Sequence, residues 1–265
     1  MCELFGISSN RPVELAESLV RFGKRGGEAA DNPDGWGLAW LDDGHFSLRK
    51  EPVAAATSPV FTGLSETLCS DLVLAHVRKA NPPTDQTLAN THPFTRECCC
   101  RQWIFAHNGK VPELVQPDGC CRPQSRVPLG ETDSEHAFCF LLDEIAKIFS
   151  SDKKPSHDSW VGTLATLSSM IASYGQFNFL MSEGEYLVAY GHDRLHALER
   201  CCQDTRLILI ASEPLTVDEP WLPFTPGELQ IFRAGERVAR IQTAPPHPDG
   251  PGIAAGAVSQ VNERP

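Results

Sequence analysis

Along the first third of the chain the apolar residues fall into short runs separated by turn chemistry. Residues 2–8 carry an alternating pattern without helical character and predict a first strand. Val13–Phe22 then places apolar residues at helical spacing and meets the breaker pair Gly26-Gly27, so a helix is expected there. Asn32-Pro33-Asp34-Gly35 is a turn. Trp36–Leu41 and Phe46–Arg49, joined across Asp42-Asp43-Gly44, read as a hairpin. Leu72–Val77 and Trp103–Ala106 are further strands, and each runs into a polar cluster, His76-Val77-Arg78 and His107-Asn108-Gly109.

The middle of the chain changes period. From Asp133 to Phe149, Phe138, Leu141, Leu142, Ile145, Ile148 and Phe149 share one helical face, and Thr132-x-x-Glu135 is a capping box. Ser159–Tyr174 repeats the pattern through Trp160, Leu164, Leu167 and Ile171 and stops at Gly175. Strands resume with a hairpin, Phe177–Met181 and Tyr186–Tyr190, across Ser182-Glu183-Gly184. Leu207–Ala211 follows, and Leu229–Phe232 pairs with Arg237–Gln242 across Gly235-Glu236. From Thr243 onward a Pro/Gly-rich tail is expected to pack poorly. Strands, two helices and strands again, with no internal repeat, predict an α+β layered domain with helices over antiparallel sheets.

Composition narrows the class. With 41% hydrophobic and 22% charged residues in 265, the chain has ordinary globular usage and ample length for a core. Its 34 acidic against 23 basic residues give a net charge of −11, which repels phosphate backbones and anionic headgroups, so neither nucleic acid nor membrane is expected as a partner. No apolar run approaches the ~18 residues of a membrane span, and Met1-Cys2-Glu3 begins no basic leader; a cytoplasmic protein is expected. Ten cysteines in such a chain are read as reduced thiols. The adjacent groups Cys98-Cys99-Cys100, Cys120-Cys121 and Cys201-Cys202 lack the CxxC spacing of a zinc site, so no metal is expected.

Cys2 carries the most chemistry. Removal of Met1 would leave a thiol and a free α-amine on one residue, and an amine with a pKa near ~7.7–8.0 is a competent general base for that thiol. Taken alone, Cys2 reads more readily as filling a buried slot in the first strand, which is what most unpaired cysteines do. Five further clusters change that balance: Asn32-Pro33-Asp34-Gly35-Trp36-Gly37, Ala75-His76-Val77-Arg78, Asn90-Thr91-His92-Pro93-Phe94, Phe105-Ala106-His107-Asn108-Gly109 and Thr132-Asp133-Ser134-Glu135. Together with Cys2 and Gly6, and continuing into Ala211-Ser212-Glu213-Pro214-Leu215, their order resembles that of class II glutamine amidotransferases over residues 2–240. The likeness is greatest to the stand-alone branch with ergothioneine-pathway and glutathione-degrading members.

The resemblance implies an N-terminal-nucleophile (Ntn) hydrolase fold, a four-layer αββα sandwich of two antiparallel sheets. It implies Cys2 as the nucleophile that forms a γ-glutamyl thioester, and Asn108 with Gly109 as the oxyanion hole. It also implies Arg78 as the grip on a substrate α-carboxylate and Asp133 as that on its α-ammonium. His107 falls in the same substrate-binding set, although a structural or supporting role suits it and His76 and His92 better, because the α-amine already supplies the base. Trp36 and Phe94 are read as core or pocket walls, and Asp34-Gly35 and Ser212 as the pocket floor.

No cofactor is implied. An amidotransferase domain over 2–242 with a tail over 243–265 leaves no synthase domain, so a separate acceptor synthase or peptidase subunit is the expected partner beside the small-molecule substrate. Cys98–Cys100 and Gln116–Gly130 look like insertions between the motifs. The competing class is a non-catalytic, cysteine-rich metal-binding or interaction protein, which would keep Met1 and carry metal.

Overall fold

The structure, a computed structural model, describes residues 1–80, 85–116, 121–149 and 157–244. Two antiparallel sheets face one another. The first has the strand order β11-β9-β10-β1-β4-β2-β3, built from Glu3–Glu14 (β1), Trp36–Asp42 (β2), His45–Glu51 (β3), Cys69–Val77 (β4), His196–Cys202 (β9), Thr205–Ala211 (β10) and Leu222–Pro223 (β11). The second has the order β13-β12-β8-β7-β6-β5, from Phe94–Cys98 (β5), Arg101–Lys110 (β6), Gln176–Ser182 (β7), Leu187–Gly191 (β8), Glu228–Arg233 (β12) and Glu236–Gln242 (β13).

Alternation along the strands sorts three cores. Leu4, Leu72 and Leu74 point from the first sheet onto Ile104, Ala106, Leu180 and Ala189 of the second, forming the layer between sheets. The intervening residues Phe5, Ile7, Val73, Ala75 and Val77 point outward, where helices Ala16–Lys24 (α1) and Pro59–Thr67 (α2) cover them with Leu19, Phe22 and Phe61. On the opposite side Trp103, Phe105, Phe177 and Phe179 meet helices Asp133–Phe149 (α3) and His157–Ala172 (α4) through Phe138, Leu141, Leu142, Ile145, Leu164 and Ile171. At about 1.5–3 kcal/mol for each fully buried large apolar side chain, these layers dominate the stability. The expected αββα sandwich is the observed one.

Several boundaries differ from the pattern-based reading. The predicted first helix begins too early: β1 continues through Val13 and Glu14, which pair with Ser70 and Cys69 after a register shift beyond Ser8, and α1 starts at Ala16. Apolar spacing over 13–22 suits both states, and pairing with β4 decides for strand at its start. Helix α2 is not among the predicted elements, although Ser58-Pro59 marks its start, with the Ser58 hydroxyl accepting from the Phe61 N–H at 3.1 Å and proline at the first helical position. Strands β5, β9 and β11 were likewise unpredicted. The capping box at α3 is half formed: Thr132 Oγ1 accepts from the Glu135 N–H at 3.2 Å, but the Glu135 carboxylate pairs with Arg96 and accepts from the Gly130 N–H instead of returning to Thr132.

Cys98–Cys100 forms the end of β5 and a two-residue hairpin turn, with Cys98 opposite Arg101. In the segment Gln116–Gly130, residues 117–120 lie outside the described ones, and Asp143 of α3 holds the part that follows by accepting from the Ser125 N–H at 2.8 Å and the Arg126 guanidinium at 2.6 Å. Of the predicted tail only Thr243 and Ala244 are described; Thr243 is tied down, its N–H donating to the Gly227 carbonyl at 3.0 Å.

Candidate active site

The N-terminal end of β1, the C-terminal end of β4 and the C-terminal half of β6 meet at one end of the sandwich. Strand alternation puts Cys2 on the same side as Leu4, facing the second sheet, while Glu3 turns to the helical side, where Arg25 binds its carboxylate and the Asn32 side-chain amide donates to it at 3.4 Å. The Cys2 thiol lies against the chain just beyond β4, accepting from the Lys79 N–H at 3.2 Å and donating to the Lys79 carbonyl at 3.3 Å. Burial pushes this thiol up from its ordinary value, against smaller opposing pulls from the Lys79 backbone, the N-terminal charge and Arg78. A thiol so placed is protonated at neutral pH and needs a base before it can attack.

Arg78 follows β4 on the same inward face. It is 4% exposed, its Nη2 donates to the Asp85 carbonyl at 3.3 Å, and its Nη1 has no protein partner. Desolvation lowers its pKa, with the Cys2 and Asp34 charges acting to hold it up. A solvated strand-end charge is therefore excluded. Asp34 braces the turn around it: its N–H donates to the Arg78 carbonyl at 3.0 Å and its carboxylate accepts from the Ala80 N–H and the Gln86 side chain at 2.8 and 2.6 Å.

Asn108 and Gly109 lie within β6, opposite Asn178 and Phe177 of β7, so the pair is not a hairpin turn. Gly109 adopts φ 152°, and a Cβ there would sit 2.0 Å from the Gln176 carbonyl oxygen; only glycine fits. Asn108 is 2% exposed and its Nδ2 donates to the Ser212 hydroxyl at 3.3 Å. The same hydroxyl accepts from the Leu4 N–H at 2.9 Å, so Ser212 joins the strand that carries Cys2 to the strand that carries Asn108.

Asp133 opens α3 and accepts from the Val111 N–H at 2.7 Å, from the Ser134 N–H at 2.8 Å and from the Ser134 hydroxyl at 3.3 Å. Thr132, not Asp133, caps the helix. Two carboxylate oxygens offer about four acceptor positions, so the three local donors leave one open. His107 has both ring nitrogens engaged, Nδ1 with the Ser134 hydroxyl at 2.8 Å and Nε2 with the Gln176 carbonyl at 3.1 Å, and is 1% exposed. It touches the surroundings of Asp133 and Gly109 rather than open space.

His76 and His92, 0% and 5% exposed, pack against each other with ring centroids 4.2 Å apart and planes tilted by 34°, and none of their four ring nitrogens has a protein partner. Burial pushes His76 down to about 3 and His92 well below its ordinary value, with Arg78 and the neighbouring histidines adding to the effect. The loop bearing His92 presses on β2 at Gly37, where a Cβ would lie 2.0 Å from the His92 carbonyl oxygen. Trp36 is no pocket wall: it is fully buried among the α1/α2 contacts, with Nε1 donating to Glu51. Phe94 packs beside His92 at 4.4 Å and belongs to the α3/α4 core.

Residues 1–202 and 198–251 match the family model for class-II glutamine amidotransferases. The chain belongs to this family. YafJ of Escherichia coli K12, named as a glutamine amidotransferase, is 34% identical over 262 residues, covering 90% of this chain and all of that one. The gamma-glutamyl-hercynylcysteine sulfoxide hydrolase of Mycobacterium tuberculosis is 27% identical over 72% of this chain and 71% of its own length. A crystal structure of a predicted glutamine amidotransferase from Pseudomonas aeruginosa superposes with a TM-score of 0.67 at 28% identity, covering 90% of this chain and 100% of that one. The sandwich is thus the Ntn-hydrolase sandwich of the amidotransferases, and no helix among the described residues is long and apolar enough to cross a membrane. Among the described residues no group of three or more His, Cys, Asp or Glu side chains could hold a metal ion.

Proposed function

We propose that this amidotransferase cleaves the side-chain amide of glutamine or of a γ-glutamyl conjugate, with Cys2, freed by removal of Met1, as the nucleophile. The observation that carries this reading is the buried Arg78 guanidinium with an unpartnered Nη1 beside the half-buried Cys2 thiol. A desolvated cation with an open donor calls for a carboxylate, and Arg supplies the planar, two-point geometry that an α-carboxylate accepts. Asp133, with its remaining acceptor position, receives the α-ammonium, so the two charges read an amino-acid zwitterion and leave the γ-amide to face Cys2.

The α-amine of Cys2 takes the thiol proton as sulfur attacks the γ-carbonyl carbon. The carbonyl oxygen becomes negative in the tetrahedral intermediate, where the Asn108 side-chain NH₂ and the Gly109 N–H stabilise it. The C–N bond breaks, the proton passes to the leaving amine, and water then releases glutamate from the thioester with the same amine as base. His107 contributes through position, holding Ser134 and Gln176 around Asp133 and Gly109.

The group beyond the amide distinguishes ammonia delivery to a separate acceptor synthase or peptidase subunit from outright hydrolysis of a conjugate. The mycobacterial relative, named for a γ-glutamyl hydrolase, supports the second version. Intact-mass measurement before and after treatment with an electrophilic glutamine analogue tests the core of the proposal. The expected result is a chain lacking Met1 that gains one adduct, with no adduct on Cys2→Ala. Active protein that retains Met1, or an undiminished adduct on Cys2→Ala, would overturn it.

A further inference from the structure

Three groups of adjacent cysteines stand in the sequence, and adjacency alone does not bring sulfurs together. On a regular strand successive side chains leave on opposite faces, as for Cys201 and Cys202, which lie within β9 and are both exposed. Cys98 and Cys99 differ because the chain leaves β5 between them. Cys99 and Cys100 form the two-residue turn to β6 with φ 57° and 60°, the left-handed pair of a type I′ hairpin. The corresponding turns Asp43-Gly44 and Ala234-Gly235 place glycine second, whereas this one uses two cysteines. The turn swings Cys99 back over the strand end, and its Sγ lies 3.1 Å from that of Cys98.

We propose that Cys98 and Cys99 form a chelating dithiol for a trivalent thiophilic metalloid, both sulfurs bonding to the same atom. The two residues divide the work. Cys99 is half-buried and reachable, whereas Cys98 is 3% exposed, packs in the core beneath α3 and directs its thiol to the Leu142 carbonyl at 3.6 Å. Direct oxidation of the pair to a disulfide is disfavoured, because a trans peptide fixes neighbouring Cα atoms about 3.8 Å apart while disulfides span about 4.4–6.8 Å. A bridging atom removes that conflict. A pyramidal arsenic(III) centre, with S–As–S close to a right angle, accepts two sulfurs nearly in contact.

With an aryl arsenous acid the step balances without redox change: two As–S bonds form, two As–O bonds break, and each thiol proton leaves with a hydroxide as water. Cys99 bonds first. Cys98, whose thiol burial pushes up to about 12, closes the ring second, when attack is intramolecular. The site is separate from Cys2. Cys98 pairs with Arg101, and from there Asn108 is seven residues along β6, about 23 Å at ~3.3 Å per residue.

The test is titration of the full chain with phenylarsine oxide, read by intact mass and peptide mapping. One adduct on the peptide containing Cys98 and Cys99 is expected, surviving excess monothiol and removed by a dithiol. Cys99→Gly removes one sulfur at a position whose φ suits glycine, and Cys98→Ala removes the other; each should weaken capture at least ~10²-fold, as loss of a chelate does. The double variant Cys201→Ala/Cys202→Ala should bind as the parent does. Absence of the adduct, its removal by monothiol, its location on other cysteines, or undiminished capture by folded Cys99→Gly would overturn the proposal.

Discussion

Acidification should destabilise the fold through the paired histidines His76 and His92, and the size of the effect follows from their burial. His76 is fully buried with both ring nitrogens unpartnered, and its pKa falls from an ordinary value near 6.5 to about 3. The unfolded chain therefore takes up a proton at this residue below about pH 6.5 while the folded chain refuses it down to about pH 3. Since the unfolded state holds more protons in that window, stability falls as pH falls through it. At 1.36 kcal/mol for each tenfold in proton concentration, the loss from His76 between pH 7 and 4.5 is about 2.6 kcal/mol.

Other groups contribute over the same range. His92 adds in the same direction, whereas Glu183, which burial raises to about 7, takes up its proton earlier in the folded state and opposes one histidine. The clean measurement is the difference between parent and His76→Phe, a substitution that keeps a ring packed against His92. Chemical denaturation of both proteins at pH 7 and pH 4.5 should show the parent losing about 2.6 kcal/mol more than the variant. A pH-independent difference would mean that His76 is not a neutral imidazole walled off from water, and the account of the layer beneath Arg78 would fail with it.

Asn108→Ala should lower kcat for glutamine hydrolysis by about 10²–10³ with little change in KM, because its donor acts on charge that develops only in the transition state; a normal kcat would remove it from the oxyanion hole. Gly109→Ala forces a Cβ to 2.0 Å from the Gln176 carbonyl oxygen at φ 152°. A cost of about 3 kcal/mol should lower Tm by about 6–12 °C, and an unchanged Tm would show that β7 yields. Arg78→Ala should reduce kcat/KM at least ~10-fold, and the parent should likewise reject glutamine esterified at its α-carboxylate; cleavage of the ester at the rate of glutamine would contradict the assigned grip. N-acetylated glutamine tests Asp133 in the same assay.

The layers were legible because their periods are strong. Helices α3 and α4 and the hairpins β2–β3, β7–β8 and β12–β13 carry either a helical stripe or alternation bounded by turn residues, and each formed close to its expected place. The start of α1 was misplaced because Val13 belongs to two compatible patterns and only the partner strand chooses between them. Strand β5 was hidden by its composition: Phe94–Cys98 has strand formers only in its first two residues, Phe94 and Thr95, and its turn is made by cysteines where glycine or asparagine is expected. Motif order brought the site residues together on paper, but it could not say that Asn108-Gly109 lies inside a strand or that Arg78 is buried with an open donor. Those facts depend on which face of the sheet each residue takes.

The face assignment also explains why the site needs both sheets. Cys2, Leu4, His76 and Arg78 share the inward side of the first sheet, and Asn108 shares the inward side of the second with Ile104 and Ala106. Side chains alternate with a period of two, so sliding β1 by one residue against β4 would send Cys2 to the helical side and carry Glu3 between the sheets, away from Arg25. Two devices oppose that slip. Arg25 and Asn32 hold Glu3 from outside, and the Ser212 hydroxyl, accepting from both Leu4 and Asn108, ties the register of β1 to β6 from inside. Loss of that hydroxyl would leave the buried Leu4 N–H and an Asn108 N–H without this acceptor at once, at about 1–3 kcal/mol for each group left unsatisfied. In the proposed mechanism, the register that brings the strand of Cys2 to the strand of Asn108 is therefore held by hydrogen bonds to a residue that performs no step of the reaction.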